Sequence, residues 1–234
     1  MKTADLDVVY FVKESPKNEE LRYSLRSVEK NLPHRNVWIY GGCPDGIIPD
    51  CWAKCQQGGR NKWDRVRGMY KAMCLNDEIS ENFILFNDDF FVMQPVTSLT
   101  PYYRCSLYEH IVRTEMKYGD TPTTYTKLLR SCVRKLEDVG KGCLSYELHT
   151  PMMMNRVKLL RLLELFPDAH CMRSFYGNYY DIGGQQRGDV KIFNLEQDYD
   201  KDEVFLSTDD SIIPTHPVWD FICSSFKGKS RFEK

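Results

Sequence analysis

Asn87, Asp88 and Asp89 interrupt an apolar run that begins at Phe83 and resumes through Met93. An unpaired carboxylate is costly inside such a run, so carboxylates here call for a partner. Three oxygen-bearing side chains at a strand end suit a hard cation such as Mg2+ or Mn2+. The same three residues are also good turn formers, and a plain turn is the competing expectation. A second apolar run, 204–208, ends on Asp209 and Asp210 and repeats the pattern. The stretch 58–67 gathers two glycines, Arg60, Asn61, Lys62, Arg65 and Arg67 around Trp63. Glycines admit close backbone approach, and cations at a helix start suit a diphosphate. A solvated basic helix start is the alternative.

The elements that would position these groups follow from periodicity. A buried strand is expected over 7–13 and a second over 36–40. Between them Leu21, Leu25, Val28 and Leu32 recur at helical spacing, with Asn18 or Ser15 as cap and Pro33 as terminator. Residues 43–59, rich in Pro, Gly and Asp, read as loop. A helix is expected over 62–74, then the strand at 83. Helical pieces fill 102–142, with Lys127, Arg130 and Arg134 on the polar side of one of them. The methionines 152–154 read as core. A helix follows over 156–166, loop over 170–188, short strands at 190–193 and 204–208, and a frayed basic tail over 228–234. This order predicts an α/β fold: a mostly parallel sheet flanked by helices, with a helical insertion around 100–142 and ligands at the carboxyl ends of the strands.

The composition narrows the class. Of 234 residues, 42% are hydrophobic and 28% charged, which excludes a disordered chain and suffices for one α/β domain. A formal net charge of −1 gives no general attraction to nucleic acid or anionic membrane. The nine cysteines form no paired framework, which points to a reducing, cytoplasmic setting. The N-terminal residues lack a signal-peptide apolar region, and no apolar run approaches the ~20 residues of a membrane span.

Three segments together resemble the Stealth family of sugar-phosphate transferases and, more broadly, nucleotide-sugar transferases of the GT-A type. The segment from Glu20 to Lys30 with Arg35-Asn-Val-Trp-Ile39 resembles the start of that family's second conserved region. Residues 79–91, with Asn87-Asp88-Asp89, resemble its end. His149-Thr-Pro151 through Pro167, with Arg173, resembles the third region; beyond these three, Phe205 to Asp210 is a weaker match to the fourth. The strand at 8–14 lacks the Asp-Gly that closes the family's first region. The resemblance implies a GT-A-like, Rossmann-related single domain, with 1–95 as the nucleotide-sugar half and 96–234 as the acceptor half. It also implies Mn2+ or Mg2+ and a UDP-sugar or related donor. On that footing Asp89 and Asp209 are expected to hold the metal, supported by Asn87 and Asp88. Val12, Lys13 and Glu14 are expected near the base, and Arg60, Asn61, Lys62 and Arg65 at the diphosphate. Asp210, Asp209 and His149 are candidate general bases, and Arg173 shares the developing charge. Two reactions remain open: glycosyl transfer to a hydroxyl of a glycan or a modified DNA base, or sugar-1-phosphate transfer releasing a nucleoside monophosphate. A non-catalytic sugar-nucleotide or carbohydrate binder is the third expectation.

Overall fold

A computed structural model describes residues 2–55, 61–119 and 121–234. The chain forms two compact units. The first comprises Met1–Leu99, His149–Arg156 and Val190–Lys234; the second comprises Thr100–Leu148 and Val157–Asp189.

The first unit is built on a sheet of β1 (Asp7–Val12), β2 (Val37–Gly41), β3 (Cys51–Ala53), β4 (Asn82–Asn87) and β7 (Met152–Asn155), in the order β3-β2-β1-β4-β7. The first four strands are parallel and β7 is antiparallel to β4. β1, β2 and β4 are apolar along nearly their whole length and buried on both faces, as a covered parallel sheet requires. The one charge at the start of β1, Asp7, is fully buried and held by a bidentate bond from Arg35 at 2.8 and 2.7 Å and by the Ser80 amide at 2.8 Å. The methionine run is core: Met152 and Met154 face inward on β7. β3 lies within the stretch read as loop; it has only three residues, too few for a periodic signal. The helices α1 (Glu19–Asn31) and α2 (Lys62–Cys74) fall where periodicity put them, capped by Asn18 and Asn61. In the order 3-2-1-4 the chain adds strands to one side of β1 and then crosses to the other, so the strand order reverses between β1 and β4, and ligand crevices of open α/β sheets form at that point.

A second sheet in this unit orders β5 (Phe90–Val92), β10 (Phe205–Thr208) and β9 (Lys191–Ile192). The outer edge of β5 is satisfied by side chains of α1. Ser24 Oγ donates to the Phe90 carbonyl at 2.5 Å, Ser27 Oγ accepts from the Val92 amide at 3.0 Å, and Asn31 Nδ2 donates to the Val92 carbonyl at 2.7 Å. With Glu20, these residues form a buried polar stripe at helical spacing beside the leucine stripe. The sheet's other face packs on α7 (Pro217–Ser225) through Phe91, Leu206, Val218, Trp219 and Ile222. The tail at 228–234 is not frayed. Phe232 is fully buried, and Glu233 accepts a bidentate pair from Arg26 at 2.7 Å each.

The second unit holds α3 (Leu107–Tyr118), α4 (Thr124–Asp138), α5 (Arg156–Leu165), α6 (Met172–Tyr179) and a short ladder of β6 (Tyr102–Tyr103) with β8 (Gln185–Gln186). The helices α3 and α4 are the expected insertion. Helix α6 occupies a stretch read as loop, because its Tyr, Gly and Asn content is poor in helix formers. Burial fixes it: a Cβ on Gly177 would stand 2.5 Å from the Tyr146 ring, so glycine is the residue that lets α6 dock there. Among the described residues no helix is long and apolar enough to cross a membrane.

Candidate functional site

Asn87-Asp88-Asp89 proves to be both a turn and a charge cluster. Asp88 and Asp89 form the turn that carries the chain from β4 in the first sheet to β5 in the second. Asn87, half-buried, is the last residue of β4 and pairs with Phe11. Asp88 accepts a bond from Asn18 Nδ2 at 2.6 Å, so the loop after β1 is tied to the loop after β4 across the switch point. Burial, with the Asp89 charge added, pushes the Asp88 carboxyl up to about 6 despite that bond.

Asp89 is 8% exposed. Its Oδ2 accepts from Lys191 Nζ at 2.7 Å and from Ser207 Oγ at 3.2 Å; its Oδ1 is buried without a hydrogen-bond partner. Lys191 comes from β9 and Ser207 from β10, so the second sheet delivers the cation. Burial alone would weaken the Lys191 ammonium, but the Asp89 charge and bond outweigh it and hold it protonated.

Asp209 follows β10 and caps the short 3-10 turn Asp210–Ile212, accepting from the Ser211 amide at 3.2 Å and hydroxyl at 2.7 Å. Its Oδ2 lies 3.9 Å from Lys191 Nζ. Burial would raise its carboxyl, but the Ser211 bonds and the charges of Lys191 and His149 bring it below the ordinary value. Asp210 is exposed and hydrogen-bonded to Glu20, whose Oε1 accepts from Thr208 Oγ1 at 2.5 Å. Burial, and next the bond to Asp210, push the Glu20 carboxyl up to about 9. Near neutrality the buried Glu20 therefore keeps its proton and holds it toward Asp210. His149 is half-buried, edge-on to Phe90 and Phe193 with ring centroids at 6.1 and 5.8 Å.

The remaining expected residues lie elsewhere. Val12 is buried at the end of β1, and Lys13 and Glu14 are exposed beyond it. Glu14, Gly42 and Trp52 line a cavity of about 120 Å³ at the carboxyl ends of β1–β3. A neighbouring cavity of about 400 Å³ shares Cys43 and Trp52 with it, and neither is lined by Asp88, Asp89, Asp209 or Asp210. Gly42 is required there, since a Cβ would meet Glu14 Cα at 2.5 Å and the Lys13 carbonyl at 2.7 Å. Asn61 spends its side chain locally, accepting from the Trp63 and Asp64 amides at 2.9 and 3.1 Å. The ammonium of Lys62 lies over the Trp63 ring at 4.7 Å, and Arg65 is half-buried on α2. Arg60 and the glycines 58 and 59 lie outside the described residues. Arg173 belongs to the second unit, where its Nε donates to the Tyr146 carbonyl at 3.0 Å. In the same unit Lys127, Arg130 and Arg134 are exposed on α4, and Arg130 is paired with Glu115.

Thus the first unit unites Asp88, Asp89, Asp209, Asp210 and His149. Sequence reasoning missed Glu20, Lys191, Ser207 and Thr208. The signal for Glu20 was the 20-24-27-31 spacing; for Lys191 it was a lone cation in an apolar strand.

The donor chemistry is that of a divalent ion, all oxygen, and Asp89 Oδ1 is an unused acceptor. The placement is not. Among the described residues no three His, Cys, Asp or Glu side chains converge on a point where an ion could sit, and Asp89 Oδ2 is already bonded to an ammonium. As placed, these residues do not fit Mn2+ or Mg2+.

No family model matches the chain, and no curated protein matches it in sequence. Solved structures do resemble it in chain path. One is the apo-form glycosyltransferase GlyE of Streptococcus pneumoniae TIGR4, at 11% identity and a TM-score of 0.36, covering 78% of this chain and 45% of that one. Another is the galactosyltransferase LgtC in complex with donor and acceptor sugar analogs, at 10% identity and 0.45, covering 97% and 98%. A third is mouse xyloside xylosyltransferase 1 in its apo form, at 10% and 0.37, covering 98% and 96%. This chain therefore spans less than half the length of the first and nearly all of the other two.

Proposed function

We propose that this protein is a transferase that moves a sugar from a nucleoside-diphosphate sugar, a UDP-sugar by preference, to a hydroxyl acceptor. The observation that carries the reading is the Glu20–Asp210 pair at the switch-point end of the sheets. A base must reach the acceptor, and Asp210 is exposed, while burial and the bond to Asp210 keep the proton on Glu20. Asp210 takes the proton of the acceptor hydroxyl. The hydroxyl oxygen bonds to the anomeric carbon, and that carbon's bond to the diphosphate breaks, releasing the nucleoside diphosphate. The base of the donor suits the cavities beside Glu14, Gly42 and Trp52, where the half-exposed indole offers a stacking face.

A sugar-phosphate transferase is the second reading, favoured by His149, which stands close enough to Asp209 to lower its carboxyl. There His149 would be the base, attack would fall on the β-phosphorus, and a nucleoside monophosphate would leave. Incubation with a panel of nucleotide sugars, with Mn2+ and with EDTA in parallel, and chromatography of the released nucleotide separate the two. Free diphosphate, lost with Asp210→Asn, is the expected result. Free monophosphate, lost with His149→Ala, would establish the second reading. Release of neither, from any donor, would leave binding without catalysis and end the transferase proposal.

A further inference from the structure

The mismatch between oxygen-rich donors and missing metal geometry has a local cause. Lys191 Nζ stands where a cation between the two strand tips would stand, 2.7 Å from Asp89 Oδ2 and 3.9 Å from Asp209 Oδ2. Its side chain is 13% exposed and that of Asp89 11%, so the pair is shielded from water and cannot readily exchange for solvent. Ser207 completes the hold on the same carboxylate oxygen. The lysine is itself fixed by strand pairing, since Lys191 is in register with Ser207. Packing also limits its escape, with the Phe193 ring 5.7 Å from the ammonium. A dication entering beside a retained ammonium would meet like-charge repulsion in a shielded site.

We propose that Lys191 is the built-in counter-cation of the strand-tip carboxylates and closes this position to a free divalent ion. Removing the ammonium leaves Asp89, with its unused Oδ1, and Asp209 as an uncompensated oxygen set. The inference concerns cation occupancy and holds whether or not the transferase reading does.

The test is titration of Mn2+ into the full chain without nucleotide, read as the loss of the six-line electron paramagnetic resonance signal of the free ion. Wild type should leave the signal undepleted at protein concentrations where Lys191→Met removes one equivalent, an affinity gain of about tenfold or more. The double variant Lys191→Met with Asp89→Asn should return to wild-type behaviour. Should Lys191→Met fail to fold, Lys191→Gln, which keeps a donor for Asp89 without charge, carries the same comparison. One equivalent bound by wild type and abolished by Asp89→Asn would overturn the proposal. So would folded Lys191 variants that deplete no Mn2+.

Discussion

Glu20→Gln should stabilise this protein above pH 6, although it removes a charged residue type from a buried network. The folded Glu20 carboxyl titrates at about 9 against an ordinary value of 4.5. Between those values the unfolded chain releases the proton and the folded chain keeps it. Stability is therefore full below 4.5, falls as pH rises, and levels off once the folded group ionises near 9. At pH 7 the interval above 4.5 corresponds to about 3 kcal/mol, at ~1.36 kcal/mol per pH unit. Glutamine reproduces the protonated side chain: its amide donates to Asp210 and its oxygen accepts from Thr208 Oγ1. Urea unfolding followed by tryptophan fluorescence at pH 5, 6, 7 and 8 gives the comparison. The two proteins should nearly coincide at pH 5 and diverge by ~1 kcal/mol per pH unit, with the variant the more stable. A difference that stays constant across that range would refute the shared-proton pair, and with it the reason for Asp210 to serve as base.

Two further outcomes follow from the frame around the site. Glu233 has its carboxyl held down at about 2, because the Arg26 bond and the Ser230 bonds overcome the burial that would raise it. Glu233→Gln should cost about 2–3 kcal/mol at pH 7 by unfolding midpoint, a cost that shrinks as pH falls from 4.5 toward 2; an unchanged melting temperature at pH 7 would contradict it. Gly42→Ala should lower stability by about 1–3 kcal/mol, since its Cβ would meet backbone rather than a movable side chain; a urea midpoint equal to wild type would show that the β1 and β2 ends part freely.

The parts of this protein legible in its sequence are those fixed by local repetition. The leucine stripe and Asn18 cap of α1, the start and end of α2, the doubly buried β4 and the turn at Asp88-Asp89 all follow from spacing and residue chemistry within a few positions. The paired aspartates were legible as carboxylates in want of a partner, since a carboxylate ending an apolar strand needs one wherever it goes. What that partner is could not be read. Lys191 lies 102 residues from Asp89, and its role exists only because β9 pairs with β10 and β10 with β5. The same holds for Glu20: on a helical wheel it is one acid in a first turn, and it becomes a proton carrier only when Thr208 and Asp210 arrive from 188 or more residues away. Short elements were lost for the same reason, β3 and α6 being held by neighbours rather than by propensity. Local pattern decides which face of an element is buried. Which charges then share that burial, and whether a proton, an ammonium or a metal ion balances them, is decided by the long-range strand pairing that brings them together.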